Sequence, residues 1–143
     1  AGYHFGTLGH NPLSSLALHG RNLISARRKE YSRALMRKNT DLVLRALEKN
    51  RIRTLTHPGD KGAVFLDEVA EACAKLGVFM EISNRHRQLT VDEIKLASEY
   101  GVKFIIGSDA HVPDRVGTCE NAVSRIEAAG LDPARVINLS VTP

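Results

Sequence analysis

The segment Leu89–His111, LTVDEIKLASEYGVKFIIGSDAH, holds one structural unit from start to finish. Thr90 is followed three residues later by Glu93, the pattern of a capping box, in which each side chain pairs with a backbone N–H that a helix start leaves unsatisfied. The predicted helix runs to Gly101, a residue suited to the left-handed turn that ends helices. The run VKFII, residues 102–106, is short, apolar and rich in β-branched residues, so it reads as a strand. That strand delivers Asp109 and His111, two side chains of metal-ligand type, just past its end.

The same alternation extends to both sides. Residues 63–76 place Phe65, Val69, Ala72, Cys73 and Leu76 on one helical face; Gly77 follows, then the strand VFMEI. Upstream, a helix from about Arg28 to Lys49 ends near Asn50 and leads into the strand IRTLT. Downstream, a helix from Cys119 to Ala129 ends at Gly130 and precedes RVINLS, read as a further strand. GYHFG, residues 2–6, reads as another strand end. The helix-ending residues Asn50, Gly77, Gly101 and Gly130 are 27, 24 and 29 residues apart, the size of one helix-plus-strand unit. Repeated βα units of this kind define an α/β fold with a parallel sheet and right-handed crossovers. An open doubly wound sheet and a barrel both satisfy the pattern. The apolar strands imply that both faces of the sheet are covered.

Bulk composition narrows the class. A chain of 143 residues, 43% hydrophobic and 25% charged, suits one globular domain, residues 1–143. No apolar run approaches the roughly 18 residues of a membrane helix, and AGYHFG lacks the basic-then-apolar pattern of a secretory leader. The net charge of +4 comes mainly from residues 21–53, including ARRKE and LMRKN. This is either a solvated helix face or a surface attracted to phosphate or nucleic acid. Cys73 and Cys119 form no CxxC pair, which fits a reducing cytoplasm with Cys73 in a core rather than a zinc finger.

In a parallel sheet all C-terminal strand ends share one edge, and active sites are built there. His57 follows the strand IRTLT. Ser83, Asn84 and Arg85 follow VFMEI; Ser108, Asp109 and His111 follow VKFII; His4 sits in GYHFG. Imidazole nitrogen and carboxylate oxygen suit zinc, manganese or iron. A metal-free rival pairs Asp109 and His111 as base and orienting partner, with Ser83, Ser108 or Cys119 as nucleophile. It lacks a Gly-x-Ser-x-Gly elbow, and no Walker A or Gly-x-Gly-x-x-Gly pattern is present. Glu81, inside a strand, is either a partner of a ligand histidine or a satisfied structural carboxylate. His10 reads as a turn residue, His19 as helical or pre-helical, and His86, between two arginines, as exposed.

THPGDKG, FMEISNR and FIIGSDAHVPDRVG, in that order, resemble the later motifs of the polymerase-and-histidinol-phosphatase (PHP) superfamily, and LDPARVINLS is similar to the closing strand of its bacterial phosphatase-like members. The resemblance implies a distorted (β/α)7 TIM-like barrel, up to three divalent metal ions, and hydrolysis of phosphate esters by a metal-activated water that attacks phosphorus. It implies that His4 and His57 share one metal, and that Asp109 and His111, also the catalytic candidates, each serve a different neighbouring one. Arg85, Arg87 and Arg115 become candidates for gripping a small phosphorylated substrate, because guanidinium forks match phosphate oxygens.

The family's opening His-x-His motif does not occur in this chain. The expectation is therefore the second half of such a barrel, without its first strands and last helix. A missing N-terminal half would be supplied by a longer protein or a partner chain, or the open edges would favour self-association. Three functions follow: a cytoplasmic histidinol-phosphatase-like phosphomonoesterase, a nuclease module of the kind that accompanies DNA polymerases, or a non-catalytic fragment.

Overall fold

The computed structural model describes residues 12–139. Helices α1 (Pro12–Arg28) and α2 (Arg33–Lys49) come first. Then β1 (Thr54–Leu55), α3 (Leu66–Leu76), β2 (Phe79–Ser83), α4 (Val91–Glu99), β3 (Phe104–Gly107) and α5 (Glu120–Ala129) alternate. The three strands are parallel and follow chain order, β1-β2-β3, with Leu55 opposite Met80 and Ser83 opposite Gly107. The α/β class and the repeated βα unit are as expected; among the described residues the sheet has three strands.

Local chemistry sets most of the boundaries. The Thr90–Glu93 capping box is formed, with Thr90 N–H donating to Glu93 Oε2 at 2.7 Å. Gly77 and Gly130 end α3 and α5 with φ of +67° and +64°, a region costly for residues with a Cβ. Val69, Cys73, Met80, Ile82, Ile94, Ala97, Val102, Phe104, Ala122 and Ile126 are all buried in one core between sheet and helices. Cys73 is at its centre, and burial pushes its thiol pKa up to about 12.

Two expected boundaries shift. The helix expected from about Arg28 to Lys49 starts later, at Arg33, because Lys29 turns left-handed at φ +54° and Ser32 starts α2 by accepting the Leu35 N–H; a separate helix, α1, precedes that turn. A buried amide pair joins the two: Asn22 and Asn39 exchange hydrogen bonds of 3.0 and 2.8 Å, and Asn39 also donates to the Ala63 carbonyl. RVINLS does not form a strand over its described residues. Asp132 caps a short 3-10 turn, Pro133–Arg135, and Val136 makes one isolated bridge to Phe104. Asn138 then uses its side-chain amide to pair with both the N–H and the carbonyl of Ile106, at 2.9 and 2.8 Å. A side chain here takes over the ladder that a strand would have made.

Candidate functional site

The ends of β1, β2 and β3 lie on one edge of the sheet, and their following residues converge. His57 leaves β1 with a left-handed backbone, φ +30°, and is buried. Its N–H donates to Glu81 Oε2 at 3.0 Å, so β2 fixes the turn after β1. An apolar cavity of about 150 Å³, walled in part by Leu42, Val43, Leu47, Ile52 and Leu55, lies beside it. The His57 ring stands 4.5 Å from that of His86, tilted by 37°. His86 offers each ring nitrogen to a carboxylate: Nδ1 to Asp60 Oδ1 at 3.0 Å, Nε2 to Asp109 Oδ2 at 2.8 Å. One ligand atom from each of His57, His86 and Asp109 lies within 4.8 Å of the others.

That donor set fits a divalent cation. Bonds of 2.0–2.1 Å in a tetrahedral zinc site separate ligand atoms by about 3.4 Å, so movements of about an ångström per side chain would close the group. Two imidazoles and one carboxylate suit zinc, manganese or iron. Burial, then the neighbouring His86, pulls the His57 pKa down against the opposing pull of Asp60 and Asp109. This favours the neutral imidazole, the form that binds metal.

The carboxylates respond to different surroundings. Burial raises the Asp60 pKa, but Lys61 and His86 outweigh it, and the group sits below the ordinary carboxylate value. Lys61 Nζ is 2.8 Å from Asp60 Oδ2, yet that buried oxygen accepts no aligned hydrogen bond. Glu81 is raised, chiefly by burial, against the stabilising His57 N–H.

The remaining residues frame this cluster. His111 is exposed; its Nδ1 stands 2.9 Å from the Asp109 carbonyl and also meets Arg85 Nη1. That nitrogen serves one partner at a time, donating to the carbonyl or accepting from the guanidinium. Arg85, itself exposed, reaches to 4.0 Å from Asp109 Oδ2. Arg115 is exposed on the 3-10 turn Pro113–Arg115. Ser83 is buried, and its Oγ accepts the N–H groups of Arg85 and His86, a loop-shaping role. His19 lies half-buried on α1, while His4 and His10 fall outside the described residues.

His86 corrects its expected exposure: its side chain is 18% exposed, and it is the most connected member of the cluster. Flanking arginines suggested a solvated loop, whereas long-range contacts with Asp60 and Asp109 turn the ring inward. Asp60, in the turn after His57, was also missed. Its position two residues past His-Pro was the available signal.

Asn84 ties the loop after β2 to α5. Cys119, at the start of α5, provides no side-chain cap. Asn84 Oδ1 accepts the Asn121 and Ala122 N–H groups instead, at 2.8 and 3.2 Å, and its Nδ2 donates to Thr118. These are the orphan donors of a helix start, satisfied from another strand.

Fold and site define an α/β protein with a histidine–aspartate cluster at the C-terminal edge of a parallel sheet. Sequence comparison supplies the family. Residues 92–134 match the PHP-associated family. The chain is 29% identical over 111 residues to a probable phosphatase of Shewanella sp. (strain ANA-3), covering 71% of this chain and 44% of that protein. It is 32% identical over 113 residues to one from Thermoanaerobacter sp. (strain X514), covering 73% and 46%. A third, from Syntrophotalea carbinolica, is 28% identical over 117 residues, covering 76% and 49%. The chain thus spans less than half the length of these curated relatives. Its matches are those of a PHP-superfamily C-terminal region, the family to which the His-Pro-Gly and Gly-Ser-Asp-Ala-His motifs pointed.

Proposed function

We propose that this chain is the C-terminal part of a metal-dependent phosphatase that hydrolyses small phosphate monoesters. The observation that carries the reading is the approach of His57, His86 and Asp109 to within 4.8 Å. The names of the relatives, probable phosphatases, support the reaction class. His57, His86 and Asp109 would hold a divalent cation, with Asp60 adding negative charge behind His86. Such a cation supplies Lewis acidity and a lowered pKa for water at neutral pH. Arg85, exposed and 4.0 Å from Asp109, is placed to grip phosphate oxygens at the rim, with His111 beside it. Asp109 and His57 hold their donor atoms toward one point, and burial keeps His57 in its neutral form.

Strands in chain order, with α3 against α4 and α4 against α5, support a segment of a barrel rather than a sheet that reverses at a switch point. Among the described residues β1 is an edge strand, so pairing with a complementary half or a second copy belongs to the same proposal. Two free cysteines fit a cytoplasmic setting.

Isothermal titration of the chain with Zn²⁺ and Mn²⁺ tests the reading. One cation is expected to bind, with affinity reduced more than about 100-fold in His57→Ala, since loss of mere outer partners already costs about 10–100-fold. Absence of binding, or unchanged binding in both His57→Ala and Asp109→Ala, overturns it.

A further inference from the structure

The loop between β2 and α4 carries Arg85 and His86; the Asn84 N–H still donates to the Gly107 carbonyl at 2.7 Å, but residues 85–89 belong to no helix or strand. Its carbonyls are gathered by one side chain from α5. Arg125 Nη1 donates toward the carbonyls of Arg87, Gln88 and Leu89 at 3.2, 3.0 and 2.7 Å. Its Nη2 donates to the Ser83 carbonyl, and its Nε to Asn121 of its own helix at 3.2 Å. The side chain is half-buried. A guanidinium presents five N–H donors in a rigid plane, so it can fix the relative placement of several carbonyls where an ammonium cannot. Leu89, at the far end of the loop, is fully buried with a left-handed φ of +38°, and its carbonyl accepts the shortest of the Nη1 contacts.

We infer that Arg125 is a positioning residue for the cluster: by clamping the carbonyls of residues 83 and 87–89 it sets the His86 ring between Asp60 and Asp109. The inference deepens the cation-site reading and rests on it for its bearing on metal affinity. The placement of His86 is independent of any metal. Arg125 falls within the segment that matches the PHP-associated family, so this segment contributes the frame of the site while His57, His86 and Asp60 lie before it.

The test uses the full chain without metal. Long-range ¹H–¹⁵N spectra report the two ring nitrogens of His86, with His19 on α1 as the internal control. Arg125→Gln and Arg125→Lys should shift the His86 ring signals and leave those of His19 in place. Zn²⁺ affinity should fall by about 10–100-fold, the range for residues that orient ligands. His86 signals unchanged in a folded variant overturn the inference. So does loss of folding in both variants, because Arg125 would then hold the domain rather than the loop. If the parent chain binds no Zn²⁺, the cation-site reading fails, while the His86 signals still decide the positioning role.

Discussion

Gly107→Ala gives a sharp test of how the sheet supports the site. Gly107 ends β3 opposite Ser83. A Cβ added there would lie 2.0 Å from Glu81 Oε1 and 3.0 Å from Glu81 Cδ. The φ of Gly107 is not among the positive values, so alanine can adopt its backbone and the perturbation falls on Glu81. To make room the Glu81 carboxylate must swing away, and its other oxygen then abandons the His57 N–H. Leaving that buried donor unmet costs about 1–3 kcal/mol. Residual crowding adds about 1–3 kcal/mol, and the stiffer unfolded chain returns about 0.4–1 kcal/mol. The net loss is about 1–6 kcal/mol, a large share of the roughly 5–15 kcal/mol that holds an ordinary domain together.

Urea unfolding followed by circular dichroism measures it. The double variant Glu81→Ala/Gly107→Ala identifies the cause, because truncating Glu81 removes the atoms that the new methyl group strikes. The double variant should be more stable than the sum of the single costs allows, by about 1–3 kcal/mol. A cost below about 0.5 kcal/mol for Gly107→Ala, or single costs that simply add, would refute the account.

Asn84→Ala should cost about 1–2 kcal/mol in urea unfolding, since it uncovers two N–H groups at the start of α5; an unchanged midpoint contradicts the cap from β2. For Cys73, the folded thiol stays protonated to about 12 while the unfolded thiol releases its proton near 9. Between those values the unfolded state binds fewer protons, so stability falls as pH rises through the window, and Cys73→Ala should flatten the slope by about one proton. At pH 8 a thiol reagent should label half-buried Cys119 and spare Cys73 in the folded chain.

What the sequence disclosed depended on how far each signal reached along the chain. The capping box at Thr90 and the left-handed glycines at 77 and 130 are local, and the structure repeats them. The break after α1 is carried by Lys29, which has none of glycine's tolerance for positive φ, inside a run of charges that reads as one continuous helix face. Position 138 reads as strand because its neighbours are apolar, yet the pairing with Ile106 is made by the Asn138 side chain. The placement of His57 and Asp109 at one edge follows from parallel topology alone. The inward turn of His86 does not, because it depends on Asp60, 26 residues earlier, and on α5, more than 30 residues later.

The backbone shows the same division in energetic terms. Four described residues other than glycine have positive φ: Lys29, His57, Leu89 and Asp109. Lys29 serves the turn between helices. Of the other three, His57 and Asp109 belong to the cluster and Leu89 ends the loop that carries His86; each such conformation costs about 1–3 kcal/mol and persists only where its surroundings impose it. His57 is held through its N–H by Glu81 of β2. Leu89 is held through its carbonyl by Arg125 of α5. The Asp109 carbonyl faces the His111 ring at 2.9 Å. Two of the three restraints come from elements distant in sequence, so no local code could have announced them. Because two of these three restraints sit on the sheet and α5, the side chains are aimed by the folded frame before any ligand arrives.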